Sequence, residues 1–122
     1  MKLRIRGDSI RLRLTQSEVA ALAEDGRVEE SIAFGPSARL TYAIAFGGST
    51  LTAKFADALL EISVPADVAR AWASGDSVGF EAAQDAGGGR TLRILVEKDF
   101  ACLTERPNED DTDAFRNPRS SC

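Results

Sequence analysis

The first fourteen residues constrain the fold more tightly than any other stretch of the chain. Lys2-Leu3-Arg4-Ile5-Arg6 and Ile10-Arg11-Leu12-Arg13-Leu14 alternate apolar and cationic side chains around Gly7-Asp8-Ser9. A period of two marks a half-buried β-strand, and two such runs flanking a tight turn mark a hairpin. Directly opposed residues in a hairpin share a face. Ile5 therefore pairs with Ile10 and Leu3 with Leu12, while Arg4 meets Arg11 and Lys2 meets Arg13. Like charges set opposite one another weaken a ladder. This face calls for negative charge nearby, from the protein's own carboxylates or from a ligand.

The rest of the chain makes that demand conspicuous. Net charge is −4, yet residues 1–14 hold five cations and one acid, which leaves −8 for the remainder. Self-neutralisation of the hairpin is the simplest expectation. General nucleic-acid binding is not expected, because it normally comes with a basic domain. The absence of histidine removes Ser–His–Asp and Cys–His nucleophiles and His-bearing zinc sites. Cys102 and Cys122 are too few for a four-cysteine zinc site or a disulfide framework. No apolar run approaches the roughly 20 residues that span a bilayer, and the N-terminus lacks the pattern of a secretory leader. The expected setting is the cytoplasm, with no membrane partner.

A capping box, Thr15-Gln16-Ser17-Glu18, opens a short helix with Val19, Leu22 and Ala23 on its apolar stripe and Gly26 at its end. Strands follow at 27–34, 39–46, 50–55 and 60–64, broken by Gly35-Pro36-Ser37, Gly47-Gly48-Ser49 and Ala56-Asp57-Ala58. The register that keeps apolar residues together sets Lys54 against Glu61. Pro65 suits the first position of a second helix, with Val68 and Trp72 on its inner face and Gly75 at its end. Strands at 77–83 and 90–97 flank Ala86-Gly87-Gly88-Gly89, with Val78, Phe80, Leu92, Ile94 and Val96 turned to the core. No internal repeat is evident beyond generic alternation.

The sum is an α+β fold of about eight short strands and two short helices, its sheet mostly antiparallel and strongly curved or barrel-like. Residues 1–104 form a single domain, and 105–122 are a polar, acidic tail without regular structure, draped over it by Phe115.

Three constellations compete for a functional role. The first is the basic hairpin face: Arg4, Arg6, Arg11 and Arg13, joined by Lys54 and Arg93 at outer strand positions, can hold a small anion or an acidic peptide segment. The bland alternative is a solvated sheet face laced with Glu61, Glu81 and Glu97. The second is Cys102, which reads as a buried structural cysteine; a reactive thiol would need a cation such as Lys98, and no general base can be named. The third is the run Glu109, Asp110, Asp111 and Asp113, which lacks the glycine and distal glutamate of a calcium loop. It reads as a solvated tail, or as the counter-anion of the hairpin. No catalytic residue, metal ligand or cofactor is assigned.

Two stretches carry a family resemblance. The ending Glu97-Lys98-Asp99-Phe100-Ala101-Cys102-Leu103, with Glu109-Asp110 and Asp113-Ala114-Phe115, resembles that of a family of small uncharacterised bacterial proteins of unknown function. The opening Met1-Lys2-Leu3-Arg4-Ile5-Arg6-Gly7 and Leu12-Arg13-Leu14-Thr15-Gln16-Ser17-Glu18-Val19 is similar to it too. The resemblance implies no activity, cofactor or catalytic residue. A fainter likeness, in architecture alone, is to triphosphate tunnel enzymes, which open with an acidic Glu-x-Glu-x-Lys pattern where this chain is basic.

The leading expectation is a non-enzymatic binding domain using the basic hairpin. Against it stand a metal-assisted enzyme acting on a phosphorylated or polyanionic substrate in a β-tunnel, with Glu61, Glu81 and Glu97 converging on the arginines, and a structural oligomer subunit.

Overall fold

A computed structural model describes residues 1–100. In chain order they form β1 (Lys2–Arg6), β2 (Ser9–Leu14), α1 (Gln16–Asp25), β3 (Arg27–Ala33), β4 (Arg39–Phe46), β5 (Thr52–Ala56), β6 (Leu59–Val64), α2 (Ala66–Ser74), β7 (Gly79–Gly87) and β8 (Arg90–Lys98). The expectations for Cys102, Phe115, the acidic run and the tail lie outside the described residues.

The strands divide into two four-stranded sheets, β1-β2-β8-β7 and β3-β4-β6-β5. Each sheet joins two antiparallel hairpins through a central parallel pair, β2 with β8 and β4 with β6. The fold is α+β and mostly antiparallel, as expected, but the described residues form no closed barrel. The barrel-like reading fails because each helix carries the chain from one sheet into the other. Where the edge strands β5 and β7 approach, a side chain bridges them in place of a ladder. The Gln84 amide donates to the Ala53 carbonyl at 2.8 Å and accepts from the Ala53 N–H at 2.9 Å.

The two sheets also expose a repeat that the letters conceal. Strand-strand-helix-strand-strand occurs twice. Residue n of β1 and β2 corresponds to n+50 in β5 and β6, so the pair Leu3–Leu12 reappears as Ala53–Ile62. Residue n of β3 and β4 corresponds to n+52 in β7 and β8, so Val28–Ile44 reappears as Phe80–Val96. The burial patterns of β1 and β5 are the same, as are those of β2 and β6. The halves are interlocked: the first hairpin of each pairs with the second hairpin of the other. No repeat was legible in sequence because only the alternation survives, and the offset shifts by two after the helices.

Local chemistry explains the elements. Thr15 caps α1: its hydroxyl accepts from the Glu18 N–H at 3.4 Å, and the Glu18 carboxylate accepts from the Thr15 N–H at 2.9 Å. Gly26 closes the helix in the left-handed region (φ 77°), its N–H donating to the Leu22 carbonyl. Pro65 stands at the cap of α2, one position earlier than expected, and offers no side-chain hydrogen bond. The inner stripe of α2 runs through Ala69 and Trp72, which corrects two sequence expectations. Val68 is exposed because it lies one position off that stripe. Val78 is exposed because it precedes β7, and its carbonyl is what turns inward to accept from the Trp72 indole at 3.1 Å. Trp72 then meets Phe80 edge to face, centroids 5.2 Å apart.

The core is the space between the inner faces. Leu12, Leu14, Ile94 and Val96 from one sheet meet Ile44, Ile62 and Val64 from the other, with Leu22 and Trp72 from the helices. Each such side chain contributes about 1.5–3 kcal/mol of burial. Filling the core from inside leaves the outer faces free to vary.

Candidate functional site

The predicted hairpin register is the observed one: Lys2 opposite Arg13, Arg4 opposite Arg11, Ile5 opposite Ile10. Parallel pairing of β2 with β8 then extends the outward-facing residues into three rows across the first sheet. They read Lys2–Arg13–Glu97–Gly79, Arg4–Arg11–Leu95–Glu81 and Arg6–Ser9–Arg93–Ala83. Arg93, from the far end of the chain, lies in the third of these rows, opposite Ser9.

Counter-charge is partial. A single carboxylate, Glu97, serves two arginines: its Oε1 lies 2.8 Å from Arg13 Nε and 3.3 Å from Arg11 Nε. All three side chains are largely buried. Gly79 lies directly opposite Glu97, and a Cβ there would stand 2.3 Å from the Val96 carbonyl and 2.9 Å from Glu97 Cβ. Glycine at that position is what lets the Glu97 strand approach. Lys2 pairs with Asp99 at 2.9 Å. At the hairpin turn Arg90 forks onto Asp8, and that hydrogen bonding holds the Asp8 carboxyl below its usual range. No carboxylate of the described residues reaches the guanidinium of Arg6 or Arg93. Around Ser9 the face sinks into a hollow of about 220 Å³, lined by Arg4, Arg6, Arg11, Arg93 and Glu81.

The equivalent rows of the second sheet serve as an internal comparison. They read Thr52–Ser63–Ala45–Arg27, Lys54–Glu61–Ala43–Glu29 and Ala56–Leu59–Thr41–Ser31. Two cations face two acids there, and Arg27 is satisfied by Glu61 at 2.7 Å and Glu29 at 3.5 Å. In the first sheet six cations face two acids. Lys54, the equivalent of Arg4, sits opposite Glu61 as expected but on the second sheet, away from the hollow.

The carboxylates of the enzymatic alternative do not converge. Glu61 belongs to the second sheet and holds Arg27, Glu97 holds Arg11 and Arg13, and Glu81 alone lines the hollow. Among the described residues no group of three or more His, Cys, Asp or Glu could hold a metal ion. The two open sheets of the described residues form no tunnel.

Two features escaped the sequence reading. A groove of about 750 Å³ runs beside the helices, with Val19 and Ala23 of α1, Ala73 of α2 and Phe100 among its lining. The small residues on both helices were its only sequence signal. The other is an acidic pair at the N-terminus. Glu18 and Glu30 both hold the Met1 ammonium, Glu30 at 2.5 Å, and Tyr42 donates to Glu30 at 3.1 Å. Burial opposes ionisation of Glu18, yet the Met1 ammonium and the Thr15 N–H and hydroxyl hold its carboxyl down at about 2.

A family model covers residues 1–119, nearly the whole chain and every strand of the cationic face. The chain belongs to DUF7009, a family of unknown function. The DUF7009 match extends beyond β8, so the polar C-terminal stretch is part of what the family shares. No curated protein and no solved structure matches the chain. No helix of the described DUF7009 fold is long and apolar enough to cross a membrane.

Proposed function

We propose that the chain is a non-enzymatic binding domain whose working surface is the outer face of the first sheet, and that it takes a small anion or an acidic peptide segment there. One observation carries this reading. Two sheets built on the same plan differ in charge, six cations against two acids on one and a balance on the other. The plan itself therefore does not demand the arginines. Opposed arginines cost ladder stability, and guanidinium forks suit planar and tetrahedral oxyanions. The chain's own run Glu109–Asp113 is one acidic segment of the right chemistry. The net charge of −4 speaks against nucleic acid as the partner, and the scarcity of cysteine favours the cytoplasm as the compartment.

The test is binding of a fluorescein-labelled octaglutamate peptide and of inorganic phosphate to the full chain at low salt. Affinity should fall with added salt and drop about tenfold in Arg4→Ala with Arg11→Ala. Binding that survives the double variant overturns the proposal. Neutralising Glu109, Asp110, Asp111 and Asp113 to their amides should tighten peptide binding if the chain's own run competes for the face. Unchanged affinity assigns the face to an external partner alone.

A further inference from the structure

We infer that the hollow over Ser9 is a pocket for a small phosphate monoester bearing a hydroxyl or amine donor. This rests on the anion-binding reading above and narrows it from a face to a site.

The pocket is built by one substitution in the pattern. Ser9 is the middle residue of the row Arg6–Ser9–Arg93, and it is short. Its hydroxyl donates to the Arg6 carbonyl at 2.7 Å, which folds it down onto the backbone as a floor. At the equivalent place in the second sheet stands Leu59, flanked by Ala56 and Thr41. The same scaffold thus carries a large apolar side chain there and a gap between two arginines here.

Strand spacing sets the reach. Arg6 and Arg93 lie on the strands either side of β2, so their Cα atoms are about 10 Å apart, and Arg11 lies about 7 Å along β2 from Ser9. Arg6 and Arg93 thus flank the hollow above the floor, and Arg11, whose Nε lies 3.3 Å from Glu97, lines it as well. A tetrahedral phosphate offers an oxygen to each, whereas a carboxylate offers two oxygens in one plane. Glu81 lies at the far rim. Ionised, it only accepts hydrogen bonds, so it selects a ligand whose far end donates and repels one with a second phosphate. The volume of about 220 Å³ equals about seven waters and lies below the range of drug-sized pockets. It suits a phosphate on a body of up to about five heavy atoms.

The second sheet supplies substitutions that the scaffold already tolerates. Ser9→Leu and Arg93→Thr install the residues found at the equivalent positions Leu59 and Thr41. Titration calorimetry of the full chain with glycerol 3-phosphate should show binding that each variant weakens about tenfold or more, while Lys54→Ala on the other sheet leaves it unchanged. Folding of each variant is checked by circular dichroism; if Ser9→Leu fails that check, Arg93→Thr carries the test. Binding of vesicles containing lysophosphatidic acid, which keeps a free glycerol hydroxyl, with the same sensitivity supports the site and identifies a lipid headgroup as the source of the phosphate. Glycerol 3-phosphate binding that withstands both variants overturns the pocket. Octaglutamate binding that ignores Ser9→Leu but is lost in Arg4→Ala with Arg11→Ala overturns the pocket and leaves the wider reading intact. Binding of neither probe removes both.

Discussion

Glu18 carries a charge that contributes to stability. It closes the cap of α1 and holds the Met1 ammonium, and its carboxyl titrates near 2 in the folded protein against 4.5 unfolded. A depressed folded value stabilises at pH above the unfolded value and is lost as pH falls from about 4.5 toward 2. Glu18→Gln should therefore cost about 1–3 kcal/mol at pH 7, and less at pH 3. Urea unfolding at the two pH values reads this directly; equal losses at both would show that the carboxylate's charge is not the cause. Much at this scale was legible in the letters. The Thr15–Glu18 box, the Gly26 stop and the Lys54–Glu61 pair depend on residues close in sequence. The Met1–Glu30 contact was not, because it joins separate strands and no local pattern encodes it.

Among the elements, the hairpin turns differ in how well their residues suit them. The first turn puts Gly7 at φ 54°, which glycine adopts freely. Its equivalent in the second half forces Asp57 and Ala58 to φ 53° and 60°. Paired positive φ angles belong to the two-residue turn that prefers Asn-Gly, and alanine is strained there by about 1–2 kcal/mol. Ala58→Gly should raise stability by about 0.5–1 kcal/mol after the entropic cost of glycine, visible as a rise in Tm of a few degrees. An unchanged or lower Tm would mean that the turn bears no strain. Gly79 is the opposite case. Its φ is ordinary, but Gly79→Ala drives a Cβ into the Val96 carbonyl and should cost about 1–3 kcal/mol. A two-dimensional NMR spectrum should place the largest shifts around Glu97, Arg11 and Arg13; shifts confined to β7 would contradict the coupling. Element identity was legible throughout, since periodicity is local. Val68 and Val78 were misplaced because an apolar residue one step off a stripe cannot be told from one on it without the partner surface.

At the scale of the molecule, each sheet is completed only by strands from both halves. The sequence could not show this, because the parallel pairs β2–β8 and β4–β6 leave no trace in the alternation of either strand. The cationic face was half legible for the same reason: Arg4 and Arg11 announce each other, whereas Arg93 joins them only through β8. Interlocking predicts that fragments 1–48 and 49–122, divided in the Gly47-Gly48-Ser49 turn, stay unfolded alone and fold when mixed. Circular dichroism should show β-structure only in the mixture, with stability rising with concentration. A fragment that folds as a monomer by itself would contradict the interlocked reading.

The parallel pairing of β2 with β8 also has a consequence during synthesis. Ser9 must wait for Arg93, 84 residues later, which is roughly 4–17 s at ordinary translation rates. Throughout that delay the nascent β2 has no partner on one side, with Leu12 and Leu14 not yet enclosed. The arginines alternating with those leucines then serve as gatekeepers, keeping one growing chain from adhering to the next on a crowded polysome.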